Sequence, residues 1–334
     1  MMPRKLSTTQ VNRLIKLIVL ALVIWAIYAQ VLAKENLNEL WHEFTDQCKS
    51  GNLVWLLLTV GLLPTNWLLE TQKWRILMSP VTRLPLWQSL KAILAGVTIS
   101  IFTPNRVGEY GGRILLVPPR YNWHAIVATF VGSLSQLTAL LSFGLIGLLY
   151  FSWRFLAVDI IILQGVFLLG ISLLGLMLFS FFNIDLVIPI VKRIPIVKRY
   201  KKQLKFLRVL KKYSTGLLSK ALMLSFLRYI TYSTQFFFLL IFFGINAPFL
   251  EAMAGISTVF LVQTSVPLPP VMGLLTRGQV ALFVWKFFGG NEISVLASTY
   301  LLFVINLVLP ALIGAIFIIK TNVLKSLGYE KPND

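Results

Sequence analysis

The stretch "IFTPNRVGEYGGRILLVPP", residues 101–119, places Arg106, Glu109 and Arg113 within eight positions, directly after a proline-broken turn, in a chain that is 57% apolar. Seventeen mostly apolar residues, 86–102, precede the turn, and about 11 mostly apolar residues follow it before Pro118, Pro119 and Arg120. At 1.5 Å per residue, 11 residues rise about 16 Å, roughly half of a bilayer core about 30 Å thick. The stretch therefore reads as a helical hairpin that enters and leaves a membrane on one side, turning at Thr103, Pro104, Asn105 and Gly108.

The rest of the chain places that hairpin in lipid. With 334 residues, a mean hydropathy of +0.79, 13% charged residues and repeated apolar runs, the sequence predicts an all-α polytopic membrane protein. Apolar segments long enough to cross lie near 14–33, 51–70, 125–151, 156–182, 216–244 and 293–319, giving six full spans. The first is long and lacks a small-residue cleavage site, so it is retained as a permanent helix. Most tryptophans, Trp25, Trp41, Trp55, Trp87, Trp123, Trp153 and Trp285, fall near span ends, as an aromatic belt would. A single cysteine, Cys48, excludes an intrachain disulfide. With only His42 and His124 beside it, no metal site is expected, and no phosphate-binding loop points to a nucleotide or other cofactor.

Net charge is +19, but its distribution points away from nucleic acid. Ten Lys or Arg fall between Lys192 and Lys212 with no acid among them, directly after a span. Segment 192–213 reads as a cytoplasmic amphipathic element with Leu204, Leu207 and Leu210 toward one face. Lys198, Arg199, Lys201, Lys202, Lys205 and Arg208 are then available to anionic lipid headgroups. The basic N-terminus, the loop with Lys73, Arg75 and Arg83, and the basic C-terminus fall on the same side, whereas Lys34–Lys49 carries four acids against two lysines. Both termini are therefore expected in the cytoplasm. Glu70 and Lys73, at the end of the second span, read as a snorkelling interfacial pair.

A second stretch, 249–290, behaves like the first: an apolar run breaks at Pro267, Pro269 and Pro270 and then returns. An offset of 163 residues lays 84–104 over 247–267, with Pro85 on Pro248 and Pro104 on Pro267, and seven extra residues after the prolines bring Gly108 and Glu109 onto Gly278 and Gln279. An odd number of crossings separates the copies, so the reading is an inverted repeat, A at about 51–120 and B at about 216–290, within one transmembrane domain spanning 1–334. Broken helices meeting near the midplane in inverted repeats are a transporter architecture.

Within that architecture the turn has a chemistry. Thr103 is expected as an N-cap with Pro104 at the first helical position, leaving a helix start whose N–H groups attract an anion. Arg106, Glu109 and Arg113, spaced i, i+3, i+7, would share one face of that helix. Charges at membrane depth are costly and normally face protein or a watery cavity. They either contact a substrate or lock the hairpin, with Glu109 as counter-charge or proton-coupled switch. Arg228, inside the span 216–244, is a further cavity-lining cation or the partner of a distant carboxylate.

"TPNRVGEYGGRILL", followed far downstream by "VPLPPVMGLLTRGQVAL", resembles the transmembrane region of the lysylphosphatidylglycerol synthase family. Its members show a proline-to-Arg-x-Gly-Glu turn and a later proline/glycine turn ending in Arg-Glu. The resemblance implies a flippase-like domain with re-entrant hairpins that moves a lipid between leaflets of a bacterial cytoplasmic membrane. By the match, Pro104, Arg106, Gly108 and Glu109 carry over from the first turn, and Gly273 and Arg277 from the second. Gln279 stands where the family tends to have a glutamate, which removes a second titratable group. With 15 residues after the last span, no soluble aminoacyl-transferase domain is expected here. The function anticipated is transport of an anionic or phosphate-bearing lipid, a phospholipid or a polyprenyl phosphate, by a protein that is not an enzyme. The alternatives are a non-transporting membrane partner that recruits a cytoplasmic enzyme or anionic lipid, and an integral-membrane lipid-headgroup or glycosyl transferase using Glu109 as base.

Overall fold

The computed structural model describes residues 8–28, 37–186, 188–189, 205–265, 267–269 and 273–329. Among these every regular element is helical. In chain order they are α1 (Thr8–Ile27), α2 (Leu37–Lys49), α3 (Leu53–Met78), α4 (Leu86–Ser100), α5 (Gly108–Ile114), α6 (Asn122–Phe155), α7 (Ile160–Phe182) and α8 (Thr215–Phe242). They continue with α9 (Phe249–Thr264), α10 (Gly273–Trp285), α11 (Glu292–Phe303), a π-helical turn (Val304–Val308), α12 (Leu309–Ile319) and the short α13 (Val323–Ser326). The protein is thus an all-α polytopic membrane protein. Among the described residues five stretches are long and apolar enough to cross a bilayer: Leu53–Met78, Pro119–Phe155, Ile160–Phe182, Thr215–Phe242 and Glu292–Ile319. The sixth expected span, 14–33, overlaps α1 and runs on beyond the described residues.

Two helices form the central seam. α3 and α8 pack along their whole length, antiparallel, since Thr59 meets Gln235, Asn66 meets Arg228, and the Tyr213 hydroxyl donates to the Leu77 carbonyl at 2.9 Å. Burial pushes the Tyr213 phenol above its usual range, so it stays a donor at this end of the seam. Pro64 supplies no N–H to the Val60 carbonyl of α3, and the neighbouring Thr59 carbonyl accepts from Gln235 Nε2 at 2.9 Å. α7 lies at the periphery with nearly all its apolar surface exposed, as a lipid-facing helix should be.

Neither α4 with 15 residues nor α5 with seven can cross about 30 Å of hydrocarbon. They fold back on one another as an antiparallel hairpin, with Gly108 against the Ile99 carbonyl, Gly112 against Ala95 and Gly96 against Arg113. A side chain at Gly108 or Gly112 would occupy the space of neighbouring backbone, so the close approach requires glycine. α9 and α10 pack together in the same manner, with Gly255 against Val284 and Trp285.

Each hairpin is held by a helix from the other half of the chain. α4 packs on α12, where Gly314 meets the Leu94 backbone and Thr98 Oγ1 donates to the Ala311 carbonyl at 2.8 Å. α9 packs on α6, where Gly147 meets Ser257 and Gly144 meets Leu261. In lipid, such small-residue contacts and interhelical hydrogen bonds replace the hydrophobic drive as the source of helix association.

Several expectations change. Lys205–Lys212, the described part of the basic segment, is a 3-10 helix; it packs on α6 with Val209 and Leu210 buried and Lys205 and Arg208 exposed. Lys198, Arg199, Lys201 and Lys202 lie outside the described residues. Trp285 is fully buried against Phe236 and Phe288, so it belongs to the core rather than to an interfacial belt.

Candidate functional site: a buried ion cluster between the halves

Arg106, Glu109 and Arg113 do not share one helix. The turn runs Thr103 (extended), then a 3-10 turn Pro104–Arg106, in which Asn105 (φ 49°) and Arg106 (φ 58°) are both left-handed; α5 starts only at Gly108. Asparagine tolerates that region, but for arginine it costs about 1 kcal/mol or more, an expense concentrated at functional sites. Thr103 stands at the N-cap with Pro104 at the first position of the 3-10 turn, as expected, but its Oγ1 accepts from Gly108 N at 2.7 Å, across the turn. Arg106 N bonds to the Thr103 carbonyl, Val107 N to Pro104 and Tyr110 N to Val107, so these four N–H groups around the turn have local partners.

The side chains nevertheless converge. Arg106 pairs with Glu109 at 2.7 Å, and Glu109 with Arg113 at 2.7 Å. The same Arg113 nitrogen reaches Glu70 of α3 at 2.9 Å, and Glu70 also pairs with Lys73 at 2.7 Å and with Arg228 of α8 at 2.9 Å. Glu70 is thus the hub: it grips the first hairpin through Arg113 and the second half of the chain through Arg228. This corrects the reading of Glu70 and Lys73 as a snorkelling interfacial pair, since their side chains are only 6% and 2% exposed. α3 continues unbroken to Met78, so the pair lies well inside the helix rather than at its end.

Uncharged partners complete the cluster. Arg228 Nε donates to Asn66 Oδ1 at 3.0 Å, Asn66 donates to Asn306 of the π-helical turn at 2.7 Å, and Lys73 donates to Gln136 of α6 at 3.2 Å. Trp67 lies under Arg228, with the cation 5.3 Å from the ring centroid, and Trp74 under Arg113 at 5.9 Å. The indoles offer their faces to two cations that would otherwise be poorly solvated. Gln235, on the same helix as Arg228, turns instead to Thr59.

The charge balance is uneven. Lys73, Arg106, Arg113 and Arg228 face Glu70 and Glu109, which leaves a net +2 if all six are ionised. Arg113 is locked, its side chain 4% exposed between two carboxylates, whereas Arg106 remains 39% exposed. Arg277 of α10 lies over the Phe303 ring at 5.6 Å, has no carboxylate within ion-pair distance among the described residues, and is close enough to feel the charge of Arg106. Pro267 and Pro269 lie between α9 and α10, Gly273 N bonds to the Pro269 carbonyl at 2.9 Å to open α10, and Gln279 is exposed rather than directed into the cluster. Among the described residues no group of three or more His, Cys, Asp or Glu could hold a metal.

Sequence reasoning found the hairpin charges and Arg228 but not Glu70, Lys73, Asn66, Gln136 or Asn306. A signal was present: Asn66, Glu70 and Lys73 at i, i+4, i+7 put three polar groups on one stripe of an otherwise apolar helix.

No curated protein matches the chain. Residues 13–314 match the family described as the lysylphosphatidylglycerol synthase TM region, nearly the whole length, and the chain belongs to that family.

Proposed function

We propose that the protein moves a phosphate-bearing lipid between leaflets, with the headgroup held at the basic side of the ion cluster by Arg106, Arg228 and Arg277. The observation that carries this reading is the net-positive, buried cluster on the long apolar helices α3 and α8 and the first hairpin, built from both halves of the chain. A buried charge imbalance of this kind is unfavourable in an empty site and is relieved by an anion. Arg113 and Glu109 serve to lock the first hairpin, and Arg106 is the member of that group free enough to meet a ligand.

The packing supports an inverted repeat with two re-entrant hairpins as the moving framework. α3, α4, α5 and α6 correspond to α8, α9, α10 and α11–α12, and the same pairs touch in each set: α4 on α12 mirrors α9 on α6. Offsets of 163 residues before the turn and 170 after it carry Thr98 onto Leu261 and Gly144 onto Gly314, and both pairings, Gly314 with Thr98 and Gly144 with Leu261, are contacts. They also carry Gln136 onto Asn306, two amides that both reach the ion cluster. Rocking of the halves about the α3–α8 seam would expose the cluster to each side in turn.

A transferase using Glu109 as base is disfavoured by the same geometry. A second acid, Glu70, does lie beside Glu109, but every carboxylate oxygen of the two already accepts from a cation. The test is movement of labelled phosphatidylglycerol and polyprenyl phosphate, each placed in one leaflet of reconstituted liposomes. Loss of a charge-assisted contact of about 1.5–3 kcal/mol should slow Arg277→Ala and Arg228→Ala by roughly ten- to a hundred-fold. Folded variants that move both lipids as fast as the parent would refute this site.

A further inference from the structure

Away from the ion cluster, the protein holds an apolar cavity of about 170 Å³ whose walls include Trp41 and Phe44 of α2, Leu274 of α10, and Tyr300, Leu301 and Val304 of the α11 segment. We propose that this cavity is a seat for one acyl chain of the transported lipid, its tip toward the α2 surface and its phosphate toward Arg277. The inference rests on the lipid-transport reading above and adds to it the way the lipid is presented.

Depth is the first argument. α11 begins at Glu292, on the α2 side of the molecule, where Ser294 donates to Glu43 of α2 at 2.9 Å. Ala297 and Val304, at the two ends of the slot, then lie roughly 8 and 18 Å below that helix start. With Glu292 taken at the membrane surface, the slot runs from within one leaflet to about the middle of a 30 Å core, where acyl chains are the surrounding molecules. The slot is open on one side and its walls are almost wholly apolar, so it suits a run of methylenes rather than water.

The second argument is charge at the inner end. Leu274 lines the slot near its deep end, and Arg277, one turn nearer the α2 side on α10, turns its guanidinium over the ring of Phe303, the neighbour of lining residue Val304, at 5.6 Å. An uncompensated cation therefore borders the deep end of an apolar slot. A lipid whose phosphate sits at that depth while its chain points toward α2 has the orientation of a molecule drawn from the leaflet opposite α2, tail leading.

The third argument is the roof. α2 places Leu37, Leu40, Trp41 and Phe44 on one stripe over the slot, yet none of its residues is buried and Trp41 is 61% exposed. The Trp41 and Phe44 rings stack at 5.6 Å. α2 covers the slot without filling it.

The experiment uses the full chain in nanodiscs with phosphatidylglycerol carrying a diazirine midway along one acyl chain, and a diazirine alkane without phosphate as the second probe. Adducts mapped by peptide mass spectrometry should concentrate on Trp41–Phe44 and Tyr300–Val304, well above the lipid-facing residues Leu168 and Leu169 of α7. Each buried methylene is worth roughly fourfold in affinity, so filling the slot with Leu301→Trp, or from another wall with Ala297→Phe, should lower those adducts by about tenfold or more and leave α7 labelling unchanged. Arg277→Ala should lower labelling by the phospholipid but not by the alkane. Slot labelling no higher than that of α7, or insensitive to both fillings, overturns the proposal, as does equal loss of both probes on Arg277→Ala. Because labelling is read without transport, an empty slot in a protein that still moves lipid sinks only this inference, and a labelled slot in a protein that moves none sinks only the transport reading.

Discussion

Glu70→Gln is the most informative substitution for the ion cluster. The change keeps the shape of the side chain but removes the charge that holds Lys73 at 2.7 Å, Arg113 at 2.9 Å and Arg228 at 2.9 Å, and it can present an N–H group to one of those cations. The cluster then has four cations against Glu109 alone, a net +3 where the parent has +2. Removing one partner of a buried ion pair costs about 3–5 kcal/mol, because the remaining charge stays buried without compensation. Glu70 has three partners, so the upper part of that range is expected, corresponding to a fall on the order of 10 °C in the unfolding midpoint. Thermal unfolding of purified protein in detergent measures it. Arg154→Ala provides the contrast: its pair with Glu251 spans 3.5 Å with the arginine side chain 56% exposed, and its loss should cost under about 1 kcal/mol. Combining Glu70→Gln with Lys73→Met restores the original balance and should recover a large part of the loss, a coupling that a double-mutant cycle isolates. If Glu70→Gln costs no more than Arg154→Ala, or if Lys73→Met adds its own full penalty on top, the hub assignment is wrong.

Two further outcomes follow from the packing and the surface. Gly112→Ala should destabilise the first hairpin by about 1–3 kcal/mol, because the new methyl group meets the Ala95 carbonyl and the Gly96 backbone, whereas Gly111→Ala, with open space around it, should be neutral or slightly stabilising in the same unfolding assay. Replacing exposed Lys205 and Arg208 by Gln should weaken the attraction of this face for anionic lipid by about 1 kcal/mol per charge at low salt. Tryptophan fluorescence of Trp123, which stacks on Phe206 beside Lys205, in nanodiscs of increasing anionic fraction reads that change.

The sequence was sufficient for the class of molecule and for the position of its breaks. Long apolar runs admit only helices in lipid, and Pro104, with its short apolar remainder, sets α4 and α5 as a pair too short to cross. Those are properties of local composition and of the length of a helix against the thickness of a bilayer, and they need no partner. The spacing of Arg106, Glu109 and Arg113 likewise announced ion pairing, although the left-handed Asn105 and Arg106 that break the expected helix follow from how the turn closes on Thr103.

What the tertiary structure decided was which charges meet. Glu70 looked interfacial because it stands near the end of an apolar run and close to basic residues; only the antiparallel contact of α3 with α8 brings Arg228 to it across 158 positions of sequence, and only the folded hairpin brings Arg113 across 43. The energy of a buried charge depends on the partners within a few ångströms, and partners from distant segments leave no periodic mark in the chain. Hydropathy placed the helices in the membrane, and the need of each buried cation for a carboxylate, and of each carboxylate for its cations, was met only when the two halves closed on one another.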